Sequence, residues 1–538
     1  MSSMLLRGTF ILTLGTIISK ILGLFYVIPF DAIVGQEGTT LYQYSYVPYT
    51  IFISIATGGI PLAISKFIAK YNALGEYAVG RKLFKSGQLI MIISGIVSFL
   101  MLYSIAPSLA GMIIRDSDQV TKIEDVITVT RAVSFALLIV PFMSLSRGFF
   151  QGHQSMGPTA VSQVVEQIAR IAFLLVGAFI VLNVMDGEVV TAVSISTFAA
   201  FVGAVFGLIV LFWYWRKRKP YLEDLLLQDK GTLQISLPEM YKEIIVYAAP
   251  FVFVGLANPL FQFIDTITFN RAMVEIGLAK EADFAFSALN FYSHKLVIIP
   301  VSLATAFSLT LVPNITKSFI EGNRKELNGQ INQTFQVILY LTLPAVVGMA
   351  LLAEPIYTAF YGHDLYGTEV LRFYAPVAIL FSIYPITAAI MQGINEQRYT
   401  VLSLLVGLLI KLSLNIPLIR VMETQGAILA TVLGYVAAII INLIVIKKST
   451  GFSYKIVWRR SVLICLFTFA MFLGAFGIYE VLALFLNPES IIESILMIIS
   501  TAIIGIVIYG YLGLKSKLVN VLFGSRVDKV KQKLHLKI

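Results

Sequence analysis

The sequence has few charged residues, a single cysteine and only four histidines. Charged side chains make up 13% of the 538 residues, against about 25% in a typical soluble domain, and hydrophobic residues make up 58%. A chain of this composition would expose large apolar patches in water, so its solvent must be lipid. The one cysteine, Cys465, excludes a disulfide framework, and the scattered histidines leave no metal-binding cluster. These absences exclude a soluble enzyme.

Sequence motifs that couple a protein to chemical energy are also missing. There is no G-x-x-x-x-G-K-[ST] phosphate loop, no glycine-rich dinucleotide loop and no H-E-x-x-H zinc motif. The predicted outer loops reach only about 16 residues, which is too short for a folded catalytic domain. We therefore expect no cofactor and no enzymatic activity. Transport would have to be driven by an ion gradient, by the membrane potential or by the gradient of the substrate itself.

Long apolar runs are what the chain does contain. A bilayer core about 30 Å thick requires roughly 20 apolar residues for each spanning helix. On this rule the sequence predicts an all-α polytopic membrane protein with about fourteen transmembrane helices. The approximate limits of these spans are 8–34, 40–65, 86–110, 127–146, 157–182, 189–215, 243–269, 284–313, 330–352, 370–393, 399–419, 424–446, 461–486 and 490–514.

The charges between the spans alternate in sign from one loop to the next. Basic residues cluster in every second loop, as in 216–219 and 447–460, whereas the intervening loops, such as 116–125 and 275–283, are mostly acidic. Basic loops stay in the cytoplasm of a bacterial cell under the positive-inside rule. The pattern predicts that both termini are cytoplasmic. The first apolar run lacks a small-residue cleavage site, so we expect this span to be retained rather than cleaved. The formal net charge of +10 then belongs to the inner face of the cytoplasmic membrane and not to a nucleic-acid surface.

The sequence also repeats itself with an offset of 241 residues. Five positions recur; the pairs are Gln151 and Gln392, Gly152 and Gly393, Thr159 and Thr400, Ser162 and Ser403, and Arg170 and Lys411. Six predicted spans, an even number, separate the copies, so the two halves have the same orientation and form parallel repeats. Two parallel lobes are typical of transporters that work by alternating access.

The repeat predicts the domain organisation. An N-lobe of six spans covers residues 1–215, a cytoplasmic linker covers 216–242, and a C-lobe of six spans covers 243–446. The last two spans, within 447–514, lie outside the duplication. The tail 515–538 interleaves basic and apolar residues and predicts an amphipathic helix that lies on anionic membrane lipid.

Two lysines interrupt the apolar spans near their predicted midpoints. Lys20 lies about 13 residues beyond Arg7, or roughly 20 Å of helical rise, and Lys295 lies about 11 residues from the outer end of the eighth span. Neither has an acidic residue three or four positions away. Charges at this depth are costly and usually functional, and positive charge suits an anionic substrate. We predict that both lysines are substrate-binding cations of a cavity; the alternative is that they extend to the interface or bond to backbone carbonyls.

Charged residues of the repeated fifth and eleventh spans are secondary candidates for the cavity. Glu166 and Arg170 lie four residues apart on one helix and predict a structural ion pair. Lys411 corresponds to Arg170 in the repeat, but Gly407 replaces the acid. Lys411 is therefore equally compatible with a structural and a substrate-binding role.

A polar stripe on the seventh span supplies further secondary candidates. Asn258, Gln262 and Asp265 lie along one face of the helix, and Asp31 occupies the corresponding end of the first span. Either carboxylate could bind an ion or a substrate group. Carboxylates near the membrane interface are common, however, so a structural role is favoured for both.

Several motifs resemble a known family of membrane transporters. The motifs are Arg147-Gly-Phe-Phe-Gln-Gly152, Met156-Gly-Pro158, Ser162-Gln-Val-Val-Glu-Gln167, Arg7-Gly-Thr-Phe10, Ile64-Ser-Lys-Phe67, Lys295-Leu-Val-Ile-Ile-Pro-Val-Ser-Leu-Ala-Thr-Ala-Phe307 and Gly426-Ala-Ile-Leu-Ala-Thr431. They are similar to the polysaccharide-exporter branch of the multidrug/oligosaccharidyl-lipid/polysaccharide flippase superfamily. Within that branch they resemble the lipid II flippases of Gram-positive bacteria, along essentially the whole chain.

The resemblance implies a substrate, a direction and a set of site residues. The substrate would be an undecaprenyl-diphosphate-linked disaccharide-pentapeptide that moves from the inner to the outer leaflet, with its lipid tail in a groove formed by the last two spans. The family's essential cavity cations lie on the first, second and eighth spans, and Lys20 and Lys295 match two of these positions. Tyr26 stands where Gram-negative members have a second arginine, and the second span offers Phe52 and Ile53 rather than arginine.

Three alternatives remain open at this point. One is a flippase for another lipid-linked oligosaccharide or for a spore-cortex precursor. The second is a drug/cation antiporter of the same superfamily, which would have twelve helices and a buried carboxylate. The third is a membrane glycosyltransferase or polymerase, which would need catalytic carboxylates in large outer loops. The expected partners are the lipid-linked diphosphate substrate and anionic membrane lipids, with the cell-wall synthesis machinery as a candidate and no nucleic acid.

Overall fold

A computed structural model of the chain describes residues 2–57, 59–115, 119–233 and 236–523. Every regular element in these ranges is a helix. A long apolar segment in lipid has to satisfy its own backbone hydrogen bonds, and a helix does so within a single run of residues. The prediction of an all-α membrane protein is confirmed.

The first compact unit comprises residues 1–287. Its helices are α1 (Ser2–Phe25), α2 (Val27–Thr57), α3 (Ile60–Leu74), α4 (Tyr77–Ile113), α5 (Ile123–Ser134), α6 (Val140–Gly152), α7 (Met156–Phe179), α8 (Val189–Leu227), α9 (Leu237–Glu275) and α10 (Ala282–Ser287). A 3-10 turn (Phe135–Leu138) follows α5, and a π-helical turn (Ile180–Val184) follows α7.

The second compact unit comprises residues 288–538 and begins with a π-helical turn, Ala288–Ser293. Its helices are α11 (His294–Ile320), α12 (Arg324–Leu351), α13 (Ala353–Tyr361), α14 (Leu365–Tyr374), α15 (Val377–Gly393), α16 (Gln397–Thr450), α17 (Lys455–Ala483), α18 (Ile491–Lys515) and α19 (Leu518–Phe523).

Twelve segments in the described part of the chain are long and apolar enough to cross a membrane. Two of them each contain two predicted spans. Leu14–Thr57 holds the first and second spans, which are separated at Gly35 by a non-helical backbone (φ 67°, ψ −176°). Gln397–Thr450 holds the eleventh and twelfth, which are separated in the same way at Glu423 (φ 50°, ψ −130°). The other segments match one span each, so the twelve segments accommodate the fourteen predicted spans.

The second span is shorter than predicted. Its helix ends at Thr57 instead of continuing to residue 65, and α3 begins at Ile60. Between them Gly59 has a φ of 64°. This left-handed backbone is readily adopted by glycine, because a Cβ would clash with the following carbonyl oxygen. The break could not be predicted from the apolar run, because glycine is also common inside spanning helices.

The repeated Gln-Gly motif makes the same helix contact in each unit. Gly152 ends α6 and packs on α3, where a Cβ at the glycine would lie 2.7 Å from the Cβ of Ile68. Gly393 ends α15 and packs on α11, where a Cβ would lie 2.7 Å from the Cβ of Ile315. Glycine is needed at both positions because any side chain would separate the two helices.

The backbone after the two glycines also repeats. Gln154 and Asn395, which are related by the same offset of 241 residues, both have a positive φ, of 56° and 63° respectively. The amide of Gln154 donates to the carbonyl of Gln151 at 2.9 Å, and that of Asn395 donates to the carbonyl of Gln392 at 3.2 Å. The repeat that the sequence predicts therefore has a counterpart in local structure.

The boundary between the compact units lies after Ser287, whereas the duplication predicts one within segment 216–242. The first residues of that segment, to Leu227, continue α8 as a helix. Helix α9, which the duplication assigns to the second lobe, packs on α2, α3 and α4 in the first unit. The lobes defined by the duplication stay a prediction.

Residues 228–233 form a strap across the turn between α3 and α4. The amide of Ala78 donates to Asp229 Oδ1 at 2.8 Å, and the amide of Thr232 donates to Glu76 Oε1 at 3.1 Å. The Thr232 hydroxyl donates to the same oxygen, and this bond is the main reason that the pKa of Glu76 lies below its usual range. These hydrogen bonds stabilise the strap fully at pH values above the pKa of a glutamate in the unfolded chain. The stabilisation is lost as the pH falls through the lowered pKa of Glu76.

The beginning of the basic tail 515–538 packs on protein. Leu518 and Leu522 are buried against α12, and Gln333 Nε2 donates to the carbonyl oxygen of Leu522 at 2.7 Å. Residues 524–538, on which most of the predicted lipid-binding helix falls, lie outside the described residues.

Candidate functional site

Lys20 lies on α1, one face of which packs along α7. Gly15 permits this contact, since a Cβ there would lie 2.9 Å from the Cβ of Ala160. One residue later the Thr16 hydroxyl donates to Gln163 Oε1 at 3.3 Å. Lys20 follows one helical turn after Thr16 and is exposed, and no described residue forms a hydrogen bond or an ion pair with its side chain. A lysine that the protein does not neutralise inside a spanning segment is available to an anionic ligand.

Lys295 is the second residue of α11 in the other unit. It is half-buried, and its Nζ lies 5.8 Å from the centroid of the Phe291 ring, within the distance of a cation–π interaction. Phe291 belongs to the π-helical turn Ala288–Ser293, and such turns are frequent at functional sites. Among the described residues no carboxylate lies within ion-pair distance of Lys295.

His294, which precedes Lys295, anchors the first turn of α11. It is buried, and its Nδ1 lies 2.9 Å from the hydroxyl of Tyr374 on α14. The imidazole ring also lies edge-on to Phe381, with 5.9 Å between the ring centroids. These contacts fix the direction in which α11 begins and so help to orient Lys295. No pattern in the sequence indicates this role, because a lone histidine in an apolar run is usually a packed core residue.

Glu166 is paired with Arg147 and not with Arg170. Arg147 Nη2 lies 2.6 Å from Glu166 Oε2, and Arg147 Nε donates to Ser162 Oγ at 2.9 Å. The predicted pair between Glu166 and Arg170 is therefore wrong. Spacing along α7 makes the two residues neighbours, but α6 brings a second guanidinium to Glu166, and Arg170 turns towards Tyr42 on α2.

Arg170 lies within a cluster of tyrosines. Its Nη2 donates to the hydroxyl of Tyr42 at 3.0 Å, and its guanidinium carbon lies 5.2 Å from the centroid of the Tyr46 ring. The rings of Tyr42 and Tyr46 stack at 5.1 Å, and the hydroxyl of Tyr26 donates to that of Tyr42 at 3.5 Å. Tyr26 is thus part of the cluster that holds Arg170.

Two glycines on α8 permit its close approach to α7 beside these charges. A Cβ at Gly203 would lie 2.8 Å from the Cβ of Arg170, and a Cβ at Gly207 would lie 3.3 Å from the Cβ of Glu166. The two glycines are four residues apart, the small-xxx-small spacing typical of closely packed membrane helices. The packing keeps both charged side chains half-buried.

Lys411, the repeat partner of Arg170, is fully buried between the two halves of α16. Its Nζ donates to the hydroxyl of Thr431 at 2.6 Å. The acid that the first copy has is excluded here, because a Cβ at Gly407 would lie 2.7 Å from the carbonyl oxygen of Gly434. Helix packing therefore explains why the second copy of the repeat has Gly407 where the first has Glu166.

The remaining candidates lie on α2 and α9. Asn258, Gln262 and Asp265 share one face of α9; Asp265 is buried and the other two are half-buried. Asp31 is half-buried, one turn before the break at Gly35. Each of the four interacts with other groups of the protein. In the described ranges no three histidine, cysteine, aspartate or glutamate side chains converge as they would around a metal ion.

A buried carboxylate that the sequence does not reveal lies at Asp283. Its Oδ1 accepts from the hydroxyl of Tyr44 at 2.6 Å, and its Oδ2 accepts from the amide of Thr121 at 2.8 Å. Asn270 Nδ2 donates to the same Tyr44 hydroxyl at 2.6 Å. The network joins α2, α9 and α10 to the loop before α5. In the sequence both Asp283 and the exposed Glu281 are acids of the predicted loop 275–283, so the pattern does not distinguish them.

Asp283→Asn and Tyr44→Phe are each expected to destabilise the protein by about 1–3 kcal/mol. The asparagine would point an amide donor at groups that themselves donate, and the phenylalanine would remove a donor to a buried carboxylate. The measurement is the thermal unfolding midpoint of the purified protein in detergent. Glu281→Gln is the matched control and should leave the midpoint unchanged. Equal midpoints for all the variants would show that the network contributes nothing.

Comparison with known proteins places the chain in a family. The family described as "Polysaccharide biosynthesis protein" matches residues 5–319. The chain is 49% identical over 534 residues to the lipid II flippase MurJ of Bacillus subtilis (strain 168), and the match covers 98% of each protein. This chain belongs to the MurJ family. Stage V sporulation protein B of the same organism is 24% identical over 469 residues, covering 84% of this chain and 85% of that protein.

Solved structures show that the MurJ family fold is shared with drug transporters. A structure of lipid II flippase MurJ in an inward closed conformation superposes with a TM-score of 0.66 at 16% identity, covering 95% of this chain and 99% of that one. An inward-facing multidrug transporter of the MATE family superposes with a TM-score of 0.62 at 15% identity, covering 80% of this chain and 94% of that one. At these identities the likeness concerns the fold.

Proposed function

We propose that this chain is a flippase that moves lipid II, the undecaprenyl-diphosphate-linked peptidoglycan precursor, from the inner to the outer leaflet of the cytoplasmic membrane by alternating access. The observation that carries this proposal is the 49% identity to MurJ over 98% of both proteins. The sporulation relative is only 24% identical, which favours lipid II over a spore precursor. The drug-transporter fold covers 80% of the chain against 95% for MurJ, which disfavours an antiporter.

Lys20 and Lys295 are the cations that we propose bind the substrate. A diphosphate carries several anionic oxygens, and each ammonium group can donate charge-assisted hydrogen bonds to them. Lys20 is exposed and has no partner among the described residues, and Lys295 has an aromatic ring rather than a carboxylate beside it. A cation without a protein counter-ion gains more from an anionic ligand than one that is already paired.

The other charged candidates are proposed to act in support. Arg170 and Lys411 already donate to protein hydroxyl groups, so we assign them to positioning of the helices that carry the cavity. Glu166 is assigned to the ion pair with Arg147. Asp31 and the stripe Asn258, Gln262 and Asp265 stay secondary candidates for an ion or a substrate group.

Both termini are proposed to lie in the cytoplasm, on the basis of the alternating loop charges. In a Cys465→Ala background, a membrane-impermeant thiol reagent should label Glu124→Cys and Glu489→Cys in intact cells. Lys217→Cys and Lys448→Cys should be labelled only after the membrane is opened. All four positions are exposed in the structure, so lack of labelling would reflect sidedness. Labelling of Lys217→Cys in intact cells would contradict this topology.

The proposed function is tested by complementation. Expression of the chain in a bacterium depleted of its own lipid II flippases should restore growth and cell shape, and depletion of the chain itself should cause lipid II to accumulate in the inner leaflet. Failure to complement at normal membrane levels would contradict the proposal. Accumulation of a different lipid-linked glycan would instead identify the alternative substrate.

A further inference from the structure

An apolar groove of about 640 Å³ runs along the first unit between α4 and α8, with α6 as its floor. Phe84 and Trp215 line one end, and Val205 lies on the wall further along α8. The polar side-chain groups that line the groove are the amide of Gln88, the hydroxyl of Ser146 and the indole nitrogen of Trp215. The volume falls within the range of about 300–1,000 Å³ that is typical of ligand sites.

The groove has the depth of one leaflet. Trp215 lies ten positions after Val205, a rise of about 15 Å along α8, which is half of a bilayer core about 30 Å thick. Trp213, Tyr214 and Trp215 are followed directly by the basic run 216–219. Aromatic and then basic residues in this order are typical of the boundary between membrane and water. The groove therefore begins at that boundary and extends into the hydrocarbon of one leaflet.

Two arginines lie at the end of the groove nearest the boundary. The guanidinium carbon of Arg81 lies 4.5 Å from the centroid of the Trp215 ring, and that of Arg216 lies 5.0 Å from the centroid of the Phe212 ring. Both rings line the groove. Neither arginine forms an ion pair with a described residue, and Arg81 Nε is buried without a hydrogen-bond partner in the protein.

We propose that this groove binds one acyl chain of an anionic phospholipid of the host membrane, with the lipid phosphate held by Arg81 and Arg216. The apolar walls fit a hydrocarbon chain, and the unpaired guanidinium groups fit a phosphate oxygen. Glu223, an acid on α8, is paired with Lys219 at 3.6 Å. Its negative charge also acts on Arg81, but it forms an ion pair with neither arginine. None of the residues that line the groove lies in 447–514, where the tail groove is expected.

Selectivity for lipid charge is the first test. The purified full-length protein is exchanged into detergent with phosphatidylglycerol or phosphatidylcholine, and bound lipid is measured by native mass spectrometry. Phosphatidylglycerol should be retained preferentially, and Arg81→Gln and Arg216→Gln should each weaken its retention by about fivefold. Lys217→Gln is the matched control, because Lys217 lies over Trp213, outside the groove, and it should retain the lipid as the wild type does. Equal retention of the two lipids would overturn the proposal.

Blocking of the groove is the second test and does not depend on charge. Ile209 lines the groove and is 57% exposed, so Ile209→Trp should fill the space without disturbing the core. Phe206, three residues earlier and 47% exposed, does not line it, and Phe206→Trp is the control. Loss of phosphatidylglycerol from the first variant alone would support the proposal. Retention by Ile209→Trp, or preferential displacement of the phospholipid by a polyprenyl phosphate, would overturn it.

Discussion

Lys20→Ala and Lys295→Ala are each expected to abolish complementation of a flippase-depleted strain while the protein inserts at normal levels. Among the described residues Lys20 has no hydrogen-bond or ion-pair partner and Lys295 forms no ion pair, so neither change leaves a protein carboxylate unpaired. Folding should therefore be preserved. Binding of a diphosphate-linked lipid should be lost, because its negative charge would lack a counter-ion in an apolar surrounding.

Conservative replacements separate charge from shape at these positions. Arginine in place of Lys20 or Lys295 should retain more function than glutamine, since positive charge is the property that the substrate requires. Lys317→Ala is the matched control, because Lys317 is an exposed lysine on the same helix as Lys295 and is paired with Glu321 at 4.0 Å. Wild-type rates of lipid movement in both alanine variants would exclude the lysines as the anion site.

Glu166→Gln and Arg147→Gln are each expected to cost about 3–5 kcal/mol of stability, and the double change should recover much of this loss. The two side chains are only 22% and 12% exposed, so either single change leaves a poorly solvated charge without its partner. The double change removes both charges, so no charge is left without its partner. The measurement is the monodisperse fraction and the thermal midpoint of detergent-extracted protein for the four members of the cycle.

The exposed pair of Lys219 and Glu223 provides the control for that cycle. Its side chains are 60% and 54% exposed, and the same four measurements should show coupling of no more than about 1 kcal/mol. If instead the single changes at Arg147 and Glu166 fold normally and lose transport, Arg147 would be a substrate group. The ion pair would then not be the structural element described here.

The arrangement of helices could be predicted because the bilayer sets their length. Apolar runs of about 20 residues are recognisable without any knowledge of packing. Even the breaks inside the continuous segments, at Gly35 and Glu423, fall between predicted spans. At Gly59, by contrast, the apolar pattern continues across a left-handed residue and the helix does not.

Side-chain partners between helices could not be predicted in the same way. Spacing along a helix identifies Arg170 as a neighbour of Glu166, but the partner is Arg147, which lies in the last turns of α6. Asp283 falls in the acidic segment 275–283 of the charge pattern, although it is buried and links α10 to α2 and to the loop before α5. A sequence pattern gives the position of a residue on its own helix, whereas these pairings depend on which helices are adjacent.

The most direct test of the proposed function is movement of lipid II by the purified protein. Liposomes that contain lipid II labelled in its glycan would be prepared with the wild type, with Lys20→Ala or with Lys295→Ala, and the label accessible to a membrane-impermeant reagent would be followed over time under imposed pH, sodium and potential gradients. We predict that the accessible fraction changes with the wild type under at least one gradient and stays at the protein-free level with either alanine variant. No movement by the wild type under any gradient would contradict the proposed function, and equal movement by all three proteins would contradict the proposed role of the two lysines.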